Sequence, residues 1–100
     1  MAYKAIFSPA AEKSWRKLGA TVRAQFEKVL VRRLQQPHVP AARLRGFPNL
    51  YKIKLRDSGY RLAYVVRDQQ LVVFIVGVGK RDETYEELKQ IGRASLLGDD

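Results

Sequence analysis

The stretch from Tyr51 to Val66 constrains the fold more than any other part of the chain. In residues 51–56 apolar and basic side chains alternate strictly, which is the period of a β-strand with one buried face. Asp-Ser-Gly at 57–59 is a tight-turn signal, and residues 60–66 read as a second strand. The sequence therefore predicts a β-hairpin with one apolar face and one face that carries several cations.

Two helices are predicted before this hairpin. A strand over residues 2–7 leads into Ser8, a favourable N-cap residue, and Gly19 is expected to end the first helix. Thr21 is expected to cap a second helix, whose apolar residues recur at helical spacing until Pro37. Because the connection is so short, the two helices are expected to form an antiparallel α-hairpin.

The rest of the chain completes a mainly antiparallel, four-stranded sheet. The almost wholly apolar segment 71–78 suits a central strand covered on both faces. Thr84 and Glu87 form a capping-box pattern that opens a C-terminal helix, and residues 98–100 are expected to form a flexible tail. The prediction is a single α+β domain over residues 1–100, in the order β-α-α-β-β-β-α, with the α-hairpin on one face of the sheet.

Positive charge is concentrated in the body of the chain. The formal net charge is +9; residues 80–100 carry four Lys/Arg against six Asp/Glu, which leaves fifteen against four in residues 1–79. A sheet face with several cations and almost no carboxylates repels itself unless an anion regularly occupies it. The expected anion is a nucleic-acid backbone. The alternation alone fits a solvated strand face equally well.

Several classes of site are set aside by residue type. Cysteine is absent, which excludes disulfides and thiolate metal sites. The only histidine, His38, lies in a proline-bracketed loop without a carboxylate close in sequence, and we expect it to be a surface residue. Metal-ligand spacings, nucleophile elbows and phosphate-binding glycine loops are absent, so we expect no metal or cofactor. Without a signal-peptide pattern or an apolar run long enough to cross a membrane, the protein is expected to be cytoplasmic.

RNA cleavage needs none of the excluded groups. The 2′-OH of RNA can attack the adjacent phosphate in line, expelling the 5′-oxygen and leaving a cyclic phosphate. An enzyme must take one proton, donate another and stabilise charge on the phosphorane. Arginine can hold the phosphate through its planar fork, like charge makes a neutral lysine more accessible, and tyrosine can stack on an unpaired base. A Lys/Arg/Tyr cluster is therefore sufficient for this reaction.

Short motifs follow one another along the whole chain: the opening Met-Ala-Tyr, residues 15–19 (WRKLG), 21–23 (TVR), 44–46 (LRG), 51–56 (YKIKLR), 58–62 (SGYRL), Tyr64 and 78–81 (VGKR). In this order and spacing they resemble the RelE family of bacterial toxin–antitoxin systems. The resemblance implies a RelE-like microbial RNase fold and a ribosome-dependent endonuclease that cuts mRNA in the ribosomal A site. It also implies a RelB-type antitoxin that neutralises the toxin and, together with it, represses their shared operon.

The resemblance also implies residue roles. Lys52 and Lys54 match lysines near the 2′-OH, where a lysine is the proposed base. Arg61 matches the residue that stabilises the phosphate, and Arg81 the proposed general acid. Tyr85, at the start of the last helix, is our choice for the tyrosine that stacks on the codon, although the segment before it is shorter than in the family. Further RNA contacts are expected at Arg45, Arg56, Lys80, Lys13, Arg16, Lys17 and Arg23.

Other interpretations remain open at this point. The chain could be a ParE-like toxin of the same superfamily, which inhibits gyrase without enzymatic activity. It could also be an RNA- or ribosome-binding module without catalytic activity. Among the aromatic residues, Tyr60, Tyr64 and Trp15 are expected to fill the core rather than to contact RNA.

Overall fold

Four strands and two helices occupy residues 2–80, the part of the chain that the computed structural model describes. In chain order they are β1 (Lys4–Phe7), α1 (Pro9–Arg16), α2 (Ala20–Gln35), β2 (Leu50–Lys54), β3 (Tyr60–Arg67) and β4 (Val72–Lys80). Short 3₁₀ turns lie at Pro40–Ala42 and Asp68–Gln70. The predicted final helix and tail fall outside the described residues.

The strands form one sheet in the order β1-β4-β3-β2. β1 pairs with β4 in parallel, and the other two pairs are antiparallel. β4 is therefore an interior strand, as its apolar sequence predicts. It buries Val73 and Ile75 on the face that packs on the helices, and Val76 on the other face. The α+β fold with a mainly antiparallel sheet is confirmed for this part of the chain.

The start of α1 is as predicted, whereas the end of α1 and the start of α2 differ from those expected. Ser8 caps α1 as predicted, because its Oγ accepts a hydrogen bond from the backbone N–H of Ala11 at 3.1 Å. The prediction that Gly19 ends α1 is wrong, since the helix ends at Arg16. Thr21 is not the cap of α2: Gly19 holds that position with extended angles of φ −68° and ψ 158°. Leu18, just before it, is buried in the main core.

The main core lies between the α-hairpin and one face of the sheet. Phe26 and Leu30 of α2 are buried there against apolar side chains of β2, β3 and β4. Trp15 packs between Phe7 and Phe26, with ring centroids 5.2 and 6.0 Å away, so its predicted packing role is confirmed. Tyr64 is fully buried in the same core. Within residues 2–80, no helix has the length and apolarity needed to cross a membrane.

The second face of the sheet carries a smaller apolar cluster. Leu50, Ala63, Val65 and Val76 are buried there, and side chains from the loop before β2 cover them. This cluster occupies only part of the face. The remainder, toward the tip of the β2–β3 hairpin, holds the predicted cations.

Candidate active site

Pairing across the sheet places the central cations in two adjacent rows. Lys54 pairs with Arg61, which pairs with Gly79 of β4. In the neighbouring row Lys52 pairs with Ala63. Residues directly opposite each other in a sheet point to the same face, and so do residues two apart along a strand. Lys52, Lys54 and Arg61 therefore share one face, as the alternation predicts.

The alternate residues of the hairpin fix which face this is. Tyr51, Ile53 and Leu62 are buried in the main core beneath the α-hairpin. The cations consequently lie on the opposite face, where Lys54 is exposed and Lys52 and Arg61 are partly buried. Lys54 is therefore accessible to a ligand from solution. We refer to Lys52, Lys54 and Arg61 as the cation cluster.

Arg56 is not part of the cation cluster. The prediction that it continues the strand is wrong, because β2 ends at Lys54 and Arg56 is an exposed turn residue. The backbone N–H of Leu55 donates to the carbonyl of Tyr60 at 2.9 Å, which closes the hairpin just before Arg56. Gly59 completes the turn at φ 79°, a conformation that disfavours other residues.

Lys80 also faces away from the cation cluster. It is the last residue of β4 and pairs with Tyr60, one position out of phase with Arg61. Its Nζ lies 5.6 Å from the centroid of the Tyr60 ring. Arg45 is exposed in the loop that leads into β2, just before Gly46, whose φ is 84°. The structure does not bring Arg45, Arg56 and Lys80 into one row with the cluster.

The other predicted RNA contacts belong to the α-hairpin. Lys13, Arg16 and Lys17 are exposed and Arg23 is partly buried. Arg16 also forms an i,i+4 ion pair with Glu12, with an N···O distance of 3.6 Å. Because the α-hairpin covers the opposite face of the sheet, these cations form a separate basic surface. Arg81 and Tyr85 lie outside the described residues and stay predictions.

Arg33 of α2 lies near the site and is not among the predicted site residues. Its Nη1 donates to the hydroxyl of Tyr64 at 2.8 Å and to the backbone carbonyl of Lys52 at 3.2 Å. The Tyr64 hydroxyl in turn donates to the carbonyl of Pro37 at 2.8 Å. Arg33 lies three residues after buried Leu30, a helical spacing that could have placed it on the inner side of α2.

Burial sets the protonation of this hydroxyl. Removal from water raises the pKa of Tyr64, and the neighbouring Arg33 guanidinium opposes that shift. The Tyr51 ring stacks on Tyr64, with centroids 5.6 Å apart and an interplanar angle of 18°. The neutral phenol of Tyr64 can therefore both donate and accept a hydrogen bond at the centre of this contact.

A second polar network joins segments that are distant in sequence. Asp68 Oδ1 accepts a hydrogen bond from the Tyr3 hydroxyl at 2.6 Å and lies 2.7 Å from His38 Nε2. His38 Nδ1 lies 3.1 Å from the Tyr51 hydroxyl. The hydrogen bonds from Tyr3 and His38 hold the pKa of Asp68 below its ordinary value. His38 is exposed, as expected, but the fold brings it a carboxylate that its sequence neighbourhood lacks.

Chemically, the cation cluster is suited to a phosphodiester. Arginine offers paired donors in a plane, and lysine offers a compact charge or, when neutral, a base. Within residues 2–80, no group of three or more His, Asp or Glu residues could hold a metal ion. The described part of the site therefore offers lysine and arginine, with no histidine or carboxylate in the two rows.

Comparison with known proteins identifies close relatives. The family model described as the ParE toxin of the type II toxin–antitoxin system, parDE, matches residues 5–85. The mRNA interferase toxin RelE of Escherichia coli strain K12 is 55% identical over 89 residues, covering 87% of this chain and 94% of the relative.

Solved structures agree with the sequence comparison. The isolated E. coli RelE toxin superposes with a TM-score of 0.79 at 53% identity, covering 90% of this chain and 99% of that one. The toxin in the intact E. coli RelBE toxin–antitoxin complex gives a TM-score of 0.78 at 56% identity, with coverages of 79% and 96%. A RelBE2 complex from Mycobacterium tuberculosis, at 20% identity and a TM-score of 0.63, shares the fold.

Proposed function

This chain belongs to the RelE family of type II toxins, within the RelE/ParE superfamily, and from that membership we propose that it is an mRNA interferase. The observation that carries the proposal is its 55% identity to E. coli mRNA interferase toxin RelE over 94% of that protein's length. The chain is therefore an endoribonuclease that inhibits translation by destroying mRNA. It acts in the cytoplasm, where its substrate is found.

We place the chemistry at the cation cluster. The ribose 2′-OH loses its proton to a neutral lysine, Lys52 or Lys54, and its oxygen attacks the adjacent phosphorus. Arg61 binds the non-bridging oxygens and stabilises the charge of the phosphorane. The bond from phosphorus to the 5′-oxygen then breaks, and the leaving oxygen takes a proton from Arg81. The products are a 2′,3′-cyclic phosphate and a 5′-OH, with no cofactor consumed.

The substrate is mRNA in the ribosomal A site. A cluster of lysines and arginines reads no base sequence, so the ribosome supplies the positioned codon and Tyr85 stacks on one of its bases. The basic surface of the α-hairpin, at Lys13, Arg16, Lys17 and Arg23, faces away from the cluster and suits the ribosomal RNA backbone. Such contacts make binding steeply dependent on salt.

The protein partner is a RelB-type antitoxin. A related E. coli toxin is solved in an intact RelBE complex, and another structure holds E. coli RelE with a RelB peptide. The excess of cations in residues 1–79 favours a partner that carries acidic residues. The antitoxin neutralises the toxin, and operator DNA is contacted only through their complex.

The runner-up is gyrase inhibition, because the matching family model is named for ParE toxins. The relative that is 55% identical is, however, an mRNA interferase, and this identity favours RNA cleavage. A DNA supercoiling assay with gyrase separates the two. Inhibition of supercoiling without mRNA cleavage would support the ParE-like function.

Purified protein and programmed ribosomes test the proposal directly. Cleavage of mRNA in the A site, mapped by primer extension in the presence of EDTA, is expected for the wild type. Arg61→Ala and Arg81→Ala should each abolish most of it, whereas Lys28→Ala, an exposed cation on α2 outside the proposed site, should not. No cleavage by wild type, or full cleavage by Arg81→Ala, would contradict the proposal. Ribosome binding without any cleavage would indicate an inactive binding module.

A further inference from the structure

Lys52 lies on an edge strand, and the outer side of that strand is held at only a few points. Among the strands, β2 pairs with β3 alone, and on its outer side an isolated antiparallel bridge joins Tyr51 to Arg43. The peptide groups of Leu50 and Lys52 point away from β3, toward the side of β2 that has no neighbouring strand. The backbone N–H of Leu44 donates to the carbonyl of Leu50 at 2.8 Å. The next outward carbonyl, that of Lys52, accepts from Arg33 at 3.2 Å.

Arg33 reaches this carbonyl from the opposite layer of the protein. Its backbone belongs to α2, beneath the sheet, and its side chain is partly buried. The same Nη1 donates to the Tyr64 hydroxyl at 2.8 Å, and the guanidinium carbon lies 5.8 Å from the centre of the Tyr64 ring. Tyr64 is fully buried, so this contact places the guanidinium beside the core, while the backbone of Arg33 is held by α2.

We propose that Arg33 is a positioning residue for RNA cleavage, which acts by anchoring the backbone of Lys52. This inference rests on the proposed function. The side chain of Lys52 leaves β2 on the open face, while its carbonyl is bonded to a helix on the other face. A hydrogen bond from a charged donor restrains this peptide more firmly than water does. This restraint holds the Lys52 amine at a fixed position relative to the 2′-OH.

Three variants separate positioning from stability. Arg33→Met keeps much of the side-chain volume and removes both hydrogen bonds. Tyr64→Phe removes the hydroxyl but leaves Arg33 able to bond Lys52, so it serves as the control for lost stability. Arg33→Lys retains a charged donor and tests whether such a donor restores the cleavage rate. All three are measured as the full chain, at a temperature where melting curves show them folded.

The assay is single-turnover mRNA cleavage on programmed ribosomes, with ribosome concentration varied. Arg33→Met is expected to lower the maximal rate about 10-fold, since small displacements of a catalytic group cost rate steeply, with the half-saturating ribosome concentration unchanged. Arg33→Lys should recover most of the rate, and Tyr64→Phe should stay within about twofold of wild type. Hydrogen exchange of the β2 amides should accelerate in Arg33→Met and remain near wild type in Arg33→Lys.

Some results would refute only the role of Arg33, and another would refute the proposed function as well. A folded Arg33→Met that cleaves at the wild-type rate shows that the anchor is dispensable. Equal losses of rate in folded Arg33→Met and folded Tyr64→Phe show a general effect of stability and not positioning. If Arg33→Met folds at no temperature, Arg33→Gln takes its place in the same comparison. If the wild type itself cuts no mRNA, the proposed function fails, and this inference fails with it. Cleavage by wild type with unaffected variants refutes only the role of Arg33.

Discussion

Removing the hydroxyl of Tyr64 is expected to be unusually costly for so small a change. Tyr64→Phe deletes one oxygen that donates to the Pro37 carbonyl and accepts from Arg33, both at 2.8 Å. The first is a hydrogen bond between neutral groups, of about 1 kcal/mol, and the second, to a charged group, is about 1.5–3 kcal/mol. Pro37 is buried, so its carbonyl loses a partner where water has little access. The sum predicts a loss of about 2–4 kcal/mol in the free energy of unfolding.

Tyr51→Phe is the matched control. Tyr51 stacks on Tyr64 and is also buried, but its hydroxyl meets His38, an exposed side chain, at 3.1 Å. Water can replace that contact, so we expect a loss of about 0.5–1 kcal/mol. Urea unfolding followed by circular dichroism measures both values. A loss under about 0.5 kcal/mol for Tyr64→Phe, or losses of equal size in the two variants, would refute the reasoning, because only a buried, fully bonded hydroxyl carries the larger cost.

Three further predictions concern pH, turn geometry and the core. The Tyr3 and His38 hydrogen bonds lower the pKa of Asp68. The contribution of Asp68 to stability is therefore present above its unfolded pKa and is lost as pH falls below about 4. Asp68→Asn should reduce this loss of melting temperature at acid pH, and an unchanged pH dependence would contradict the prediction. Gly59→Ala should lower the free energy of unfolding by about 1–2 kcal/mol, because φ at this position is 79°. Gly59→Asn should lose less, because asparagine tolerates positive φ better than alanine does. Equal urea midpoints for the wild type and the two variants would contradict this prediction. Phe26→Ala should lower the free energy of unfolding by about 3–5 kcal/mol in urea, because Phe26 is 0% exposed. A loss under about 1 kcal/mol would mean that neighbouring side chains fill the space left by the ring.

The sheet was largely predictable because its signal is local. Strict alternation in residues 51–54 places neighbouring side chains on opposite faces whatever the strand pairs with. A wholly apolar strand needs cover on both sides, which is why residues 71–78 indicated an interior strand. The cation cluster followed, since its three members alternate on adjacent strands joined by a short turn. The family could also be identified, because its motifs are spread along the entire chain.

The boundaries were less predictable, and tertiary packing explains why. Thr21 is a better N-cap than Gly19 by intrinsic preference, yet α2 begins at Ala20, with Gly19 at the N-cap directly after the buried Leu18. Arg56 continues the alternation in sequence, but the hairpin closes at Leu55 and ends the strand earlier. Lys80 is the last residue of β4, one position beyond the partner of Arg61, and points to the other face. The error at Arg56 came from extending a local pattern past the point where strand pairing ended it.

By itself, then, the sequence determined the fold class, the family and the side of the sheet on which Lys52, Lys54 and Arg61 lie, because alternation and motif spacing are properties of contiguous residues. Only the tertiary structure decided what holds them there. Arg33 meets the Lys52 carbonyl across 19 positions, and Asp68 meets His38 across 30. Such contacts depend on how a helix packs on a sheet and where a loop crosses a turn, and no local period encodes them.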